Sequence, residues 1–372
     1  MSNKPDTVRA WIEHLTAGEP LRARIGLRFP DCAIKVRTNS RPLLEFLALY
    51  FNNFIDDAAE PDLRIDAIEA PAADVDLPFM DQPIERGKTK VKNQYCDFRD
   101  GRAVRKKQTG LVFFFNDDRN IAWGPCAANA NQVINFINAR YIEQQLRSGW
   151  RLAHAAGVAS GRQGLALAAS SGRGKSTLAL HLLSRGCDFV ANDRLLFKRR
   201  NKTVFMRTVP KLPRVNPGTI LNNPDLLQIM PEDERRQFQA LPDEQLWKFE
   251  KKYDVFLDQC FGRHRFVTEA EIAGIVMLNW SVGDGPATLR SIDINDEIAL
   301  LNHFVKAPGV FTNIATSDAI HPPNVAAYAQ ALKGVPIYEL AGGIDFEYAV
   351  QQCLHLLNVT SSSEQSPSRV GH

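Results

Sequence analysis

The sequence predicts an α/β protein with an α+β region ahead of it, and three observations carry that prediction. Strand and helix patterns alternate along residues 150–358. A strand, a glycine turn and an amphipathic helix follow one another over Gly164–Arg185. Residues 1–149 instead read as helices around an antiparallel meander. The expected organisation is 1–149 as an N-terminal domain, 150–358 as the core and 359–372 as a Ser-rich disordered tail.

Composition narrows the class. A chain of 372 residues has room for two domains. Its 44% hydrophobic and 23% charged residues are those of an ordinary globular protein. A net charge of +3 is too small to argue for a nucleic-acid partner. No apolar run is long enough to span a membrane, and the polar start Met1-Ser2-Asn3-Lys4 lacks a signal peptide, so a cytoplasmic location is expected. The six cysteines form no Cys-x-x-Cys pair, which favours reduced thiols over disulfides or zinc.

In chain order, Val8–Leu15 reads as a helix and Cys32–Arg37 as a strand. Arg41-Pro42 opens an amphipathic helix through Phe54. Leu63–Ile68 is a strand within a loop-rich stretch. Lys88–Phe98 and Arg102–Gln108 form a hairpin about Asp100-Gly101, continued by Leu111–Phe115 and Ile121–Gly124. The hairpin carries Lys88, Lys90, Lys92, Arg99, Arg102, Arg105, Lys106 and Lys107, which fit either a solvated face or a docking surface for an acidic partner. Asn129–Gly149 is a helix with Val133, Phe136, Ile137 and Ile142 on its apolar side. Beyond it come a hairpin of Arg151–Ser160 with Gly164–Ala169, the glycine turn, a helix Lys175–Arg185, and strands at Phe189–Ala191, Leu195–Lys198 and Thr203–Arg207. Four prolines fix an irregular loop over 208–224. Residues 231–260 read as helical, Ile272–Trp280 as a buried strand, Asn295–Phe304 as a helix, Pro336–Glu339 as a strand and Phe346–Leu357 as a helix.

The chemistry concentrates in Ser170-Ser171-Gly172-Arg173-Gly174-Lys175-Ser176-Thr177. Gly172 and Gly174 let backbone N–H groups turn toward phosphate oxygens. The following helix adds unpaired N–H donors and its positive dipole end. Lys175 is placed to reach β- and γ-phosphates, and Ser176 to ligate Mg²⁺. Ala169 stands where a strict phosphate loop has its first glycine. The plain alternative is a strand–helix turn with no ligand.

The surroundings resemble HPr kinase/phosphorylase, which shares a nucleotide-binding core with ATP-dependent phosphoenolpyruvate carboxykinase. The resemblance lies in the order His154-Ala155-Ala156-Gly157-Val158, then the loop, then Arg185-Gly186-Cys187, then Val190-Ala191-Asn192-Asp193. It covers residues 151–195. Asn135-Phe136-Ile137, Met277-Leu278-Asn279-Trp280 and Gly334–Leu340 are similar to the B-type branch of HPr kinase-related proteins. The resemblance implies a P-loop kinase core that uses ATP and Mg²⁺ to phosphorylate a Ser or Thr hydroxyl of a dedicated protein partner encoded nearby. It gives His154, Lys175 and Asp193 catalytic roles, with Ser176 and Asp193 on the metal and Asp193 accepting the hydroxyl proton. On the strand-end rule, Asp193 ends a strand beside the loop strand.

Three departures accompany the resemblance. Asn192 replaces the first Asp of a pair. Pro210-Lys211-Leu212-Pro213-Arg214 stands where a Glu-containing segment is expected. An Arg-rich loop tied to the reverse reaction is missing, although Gly262-Arg263-His264-Arg265 offers either a phosphate contact or surface charge. A small-molecule phosphotransferase and a nucleotide-binding regulatory module with little turnover stay open as alternatives, as does a homo-oligomer.

Overall fold

The computed structural model describes residues 6–18, 20–72, 75–83, 91–283, 285–294, 296–312, 320 and 322–359. The chain is mixed α/β and clusters into two units, Met1–Trp150 with Ala307–Pro322, and Arg151–Lys306 with Pro323–His372. The sequence places 307–322 within the 150–358 core, whereas here the segment belongs to the first unit. Phe311 draws this segment to the first unit, its ring 4.9 Å from Phe113 and 5.4 Å from Phe136.

The first unit runs α1 (Val8–Thr16), β1 (Ala23–Phe29), β2 (Cys32–Thr38), α2 (Arg41–Tyr50), β3 (Leu63–Glu69), β4 (Met80–Asp81), β5 (Asn93–Phe98), β6 (Gly101–Lys106), β7 (Val112–Phe115), β8 (Asn120–Gly124) and α3 (Ala130–Arg147). Its sheet has the order β1-β2-β3-β8-β7-β6-β5-β4. The meander forms as expected over β5–β8, while Lys88 and Lys90 lie outside the described residues. β1 escaped the sequence because Gly26 and two arginines, Arg24 and Arg28, dilute its apolar signal. It pairs with β2 from Ala23↔Thr38 to Phe29↔Cys32. The helix expected through Phe54 ends at Tyr50 and tightens into a 3₁₀ turn at Asn52–Phe54.

The basic hairpin turns out to be engaged within its own unit. Arg102 donates to Asp97 at 2.6 Å, Arg105 stacks 4.3 Å from the Phe79 ring, and Lys106 lies 5.1 Å from the Phe311 ring. The helix α3 buries more than its apolar side. Its Arg140 donates to Glu143 at 2.5 Å and to Asn120 at 2.7 Å, with both charged residues buried.

The second unit runs β9 (Arg151–Ala153), β10 (Ala155–Ser160), β11 (Gln163–Ala168), α4 (Lys175–Ser184), β12 (Asp188–Ala191), β13 (Leu195–Arg200), β14 (Thr203–Thr208), β15 (Arg214–Val215), α5 (Pro217–Leu221), α6 (Glu232–Gln239), α7 (Asp243–Lys248), β16 (Tyr253–Asp254), α8 (Leu257–Phe261), β17 (Glu269–Leu278), β18 (Thr288–Ile292), α9 (Val325–Leu332), β19 (Ile337–Ala341) and α10 (Phe346–Leu356). Its main sheet has the order β12-β10-β11-β17-β14-β13-β9, with β19 on β17 and β18 on β19. β10 is antiparallel to both β11 and β12, and β11, β17 and β19 are parallel. The ends of β11, β12, β17 and β19 therefore lie at the same edge as the start of β10.

Several sequence expectations change here. The strand read over Arg151–Ser160 breaks at His154, so that β9 pairs with β13 while β10 pairs with β11 and β12. β12 does not lie beside the loop strand, because β10 stands between them. The helical stretch 231–260 is divided among α6, α7 and α8, with Pro231 and Pro242 standing just before the first residues of α6 and α7. The proline-rich stretch 208–224 is not wholly irregular; it holds β15 and α5, the latter opened by Pro217. The helix expected at Asn295–Phe304 is a 3₁₀ helix at Ile298–His303, and residue 295 lies outside the described residues. β18 and α9 were not anticipated, and the tail from residue 360 is likewise outside the description.

Small residues set the spacing of β10 and β11. Ala155, Ala159, Ala166 and Ala168 are fully buried with Phe197, Met206 and Ile275. Gly164 is the tightest point: a Cβ there would lie 2.0 Å from Met206 Cε and 2.8 Å from the Val158 carbonyl oxygen. Gly164→Ala should lower stability by about 1–3 kcal/mol through overpacking. A denaturant melt with an unchanged slope and a lower midpoint is the expected result.

Candidate functional site

The loop Ser170–Gly174 leaves β11 at the sheet edge and enters α4. Gly172 and Gly174 have φ of 80° and 87°, the left-handed region in which glycine is at ease. No side chain caps the N-terminus of α4, so its first N–H groups have no side-chain acceptor. The loop is braced from behind. Trp280, just beyond β17, donates its indole N–H to the Arg173 carbonyl at 2.9 Å, and the Arg173 guanidinium donates to the Trp280 carbonyl at 2.5 Å. Phe346 packs edge-on to Trp280 at 5.0 Å, and a Cβ on Gly174 would come within 2.8 Å of that Phe346 ring. Thr177 shares a 2.9 Å hydrogen bond with Thr219 of α5. At the far end of α4, Gly186 takes φ 97° and Cys187 N–H donates to Leu182 O at 3.1 Å, which stops the helix and turns the chain into β12.

Lys175 is buried and folds back along the loop, its Nζ donating to the Ala169 carbonyl at 3.0 Å. Burial pushes its pKa down to about 8, with Lys306 adding to the fall and Asp193 opposing it. Ser176 donates its hydroxyl to Asn192 Oδ1 at 2.7 Å. Asp193, next along the chain, has φ 63°, and Arg194 N–H closes a tight turn onto Asn192 O at 2.7 Å. An Asp tolerates that backbone better than most residues, and such strain gathers at working sites.

The turn aims Asp193 at His154. Their Nε2 and Oδ1 atoms are 3.1 Å apart, and Lys306 Nζ lies 3.4 Å from Oδ2. Burial alone would raise the Asp193 carboxyl. The hydrogen bond from His154 and the charges of Lys306, His154 and Lys211 outweigh it and hold the acid well below the usual carboxylate range. His154 itself is fixed at the break between β9 and β10, where its backbone N–H donates to Phe304 O at 2.8 Å.

The structure therefore brings His154, Ser170–Thr177 and Asp193 to one edge, as the sequence expected, and adds residues it did not single out. His303 ends the 3₁₀ helix, and Lys306 arrives on the segment that follows it. Burial lowers the His303 pKa, and the neighbouring charges of His154, Lys175 and Arg173 lower it further. Lys211 comes from the proline-fixed loop, its pKa pushed down to about 8 by burial and then by Arg194. The available signal for Lys211 was a cation held between Pro210 and Pro213; Lys306 carried none. Arg265 is not placed for a phosphate, because it bonds Asp188 at 3.0 Å and carbonyls at the end of α4.

The donor set fits a triphosphate better than it fits a protein-held Mg²⁺. Magnesium is usually held through one or two carboxylates together with phosphates. Here Asn192 offers a neutral amide already bonded to Ser176, and both Asp193 oxygens already face nitrogens, His154 Nε2 and Lys306 Nζ. Among the described residues, no group of three or more His, Cys, Asp or Glu side chains is placed to hold a metal. Of the Ser176 and Asp193 ligand pair that the resemblance implies, Ser176 is bonded to Asn192, and Asp193 to His154 and Lys306. Among the described residues, no helix is long and apolar enough to cross a membrane.

The HPr(Ser) kinase/phosphatase from Coxiella burnetii is a similar solved structure. The likeness covers 56% of this chain and 88% of that one, at 12% identity and a TM-score of 0.29. No family model and no curated protein matches the chain. A likeness that distant carries no argument, so the functional reading rests on the residues above.

Two consequences can be measured. In the free protein Lys175 loses its proton as pH rises through about 8, and a bound phosphate should restore it toward the ordinary 10.5. ATP binding in that window should take up protons, seen as a calorimetric heat that changes with buffer ionisation enthalpy. Trp280→Phe removes the indole bond to Arg173 and should weaken ATP binding by about three- to tenfold, from the usual worth of one hydrogen bond. The ATP dissociation constant checks it.

Proposed function

We propose that this chain is an ATP-dependent phosphotransferase of the HPr kinase-like kind, which moves the γ-phosphate to a Ser or Thr hydroxyl of a partner protein. The observation that carries the reading is the convergence of the glycine loop with Lys175 and of the His154–Asp193 pair at one sheet edge. The proposed core is the second unit, with ATP phosphates on the N–H groups of 170–177.

In the transfer, the acceptor oxygen forms a bond to the γ-phosphorus as the bridging β–γ oxygen bond breaks, and ADP leaves. Such a transition state is loose, and catalysis is chiefly positioning and charge neutralisation. Asp193 is held ionised, so it orients the hydroxyl and receives its proton as the bond forms. His154 fixes one carboxylate oxygen, and Lys175 faces the charge of the departing phosphates.

One observation favours a second reading, a nucleotide-binding module with little turnover. Asp193 has both oxygens engaged by His154 and Lys306, so a hydroxyl must displace a cation to reach it.

The test is labelled transfer. Full-length protein with γ-labelled ATP and a cell lysate should label a protein band. Lys175→Ala and Asp193→Asn should each reduce the labelling by about 10²–10⁴-fold, the range for a positioned acid–base group. ATP binding with no transfer to protein or small molecule would establish the second reading instead.

A further inference from the structure

We infer that lysine side chains of this chain, in place of a carboxylate-held magnesium ion, neutralise most of the charge on the bound triphosphate, so that ATP binding is nearly independent of Mg²⁺. The inference rests on the proposed phosphate role of the loop and adds to it the form in which the nucleotide is bound.

Two sets of residues shift the charge balance in the same direction. On the acidic side, the position facing the Ser176 hydroxyl is Asn192, a buried neutral amide whose Oδ1 is 2.7 Å from Ser176 Oγ. The carboxylate that follows it is held by His154 at 3.1 Å and Lys306 at 3.4 Å. A cation entering there has to expel Lys306 and gains no second carboxylate in return.

On the basic side, Lys175 is buried and its Nζ hydrogen-bonds two uncharged carbonyl oxygens, at 3.0 Å and 3.5 Å, with the Asp193 charge acting on it from nearby. Lys306 stands across Asp193 from His154, and Lys211 lies within electrostatic reach of Asp193, Arg194 and Lys306. Arg214, the other cation near Lys211, is matched by Asp254 at 2.9 Å. Lys175 and Lys306 thus share Asp193, while Lys211 lies within reach of Asp193 and of the Asp254 already bonded to Arg214. A triphosphate supplies the anion this group needs, and a metal-free one supplies more of it than a magnesium complex does.

The experiment is ATP titration by calorimetry on the full chain, once in Mg²⁺ and once in excess EDTA. The two dissociation constants should agree within about threefold. Lys306→Met and Lys211→Met should each weaken binding in EDTA by about tenfold, and weaken it less in Mg²⁺, because the metal then replaces the lost charge. Asn192→Asp keeps the side-chain shape and adds a negative charge. It should reverse the pattern, with ATP bound about tenfold more tightly in Mg²⁺ than in EDTA. Wild-type protein that binds ATP only with Mg²⁺ overturns the inference and leaves the phosphate-loop reading standing. Wild-type protein that binds ATP in neither condition overturns that reading and the inference with it. The wild-type comparison decides the matter even where a variant fails to fold.

Discussion

Everything at the candidate site depends on the direction of β10. It runs antiparallel between β11 and β12. Its first residue therefore lies at the edge where both neighbours end. His154 precedes β10, the glycine loop follows β11, and Asn192-Asp193 follows β12. Had β12 paired directly with β11, Asp193 would stand one strand closer to the loop and His154 would have no place between them. The hairpin that makes this possible is held by alanines and by Gly164, which leave no room for side chains between the layers.

That edge then has to solve an electrostatic problem. A carboxylate taken out of water on a strained turn is costly unless cations and hydrogen bonds surround it. Asp193, whose side chain is still 43% exposed, receives His154 from one side and Lys306 from the other, and these contacts hold its carboxyl below the usual carboxylate range. The lysines pay in the opposite direction: burial and mutual repulsion bring Lys175 and Lys211 down to about 8. An anion bound among these lysines, as proposed above, would raise both pKa values back toward the ordinary range.

Much of this edge was legible in the sequence because its parts are local. Gly172 and Gly174 announce positive φ, the apolar run before them announces a strand, and Gly186 announces the end of α4. The order His154, loop, Asp193 is compressed into a single antiparallel excursion, so a resemblance over one short run of sequence could carry it. The remainder depends on long-range pairing. Lys306 meets Asp193 across 113 positions of sequence, and Trp280 meets Arg173 across 107. Nothing in either local segment marks such a contact. The insertion of β10 between β11 and β12 was hidden for a related reason. A hydrophobic period identifies a strand without saying which strand lies beside it. His154 showed the same limit, since its neighbours on both sides alternate like one strand although they join different partners.

The supports of the loop also explain why its irregular residue is tolerable. Ala169 occupies the position of a first glycine and is buried, so the turn cannot rely on extra backbone freedom there. Rigidity comes instead from Trp280, whose indole and carbonyl both bond Arg173, and from Phe346 pressed against Gly174. A loop fixed from outside needs fewer glycines within, because neighbouring side chains hold the conformation that a freer sequence would have to find on binding. Preorganisation of this kind lowers the ordering cost of receiving a phosphate. It also ties the loop to β17 and α10, so substitutions at Trp280 or Phe346 should act on nucleotide affinity without touching the ligand.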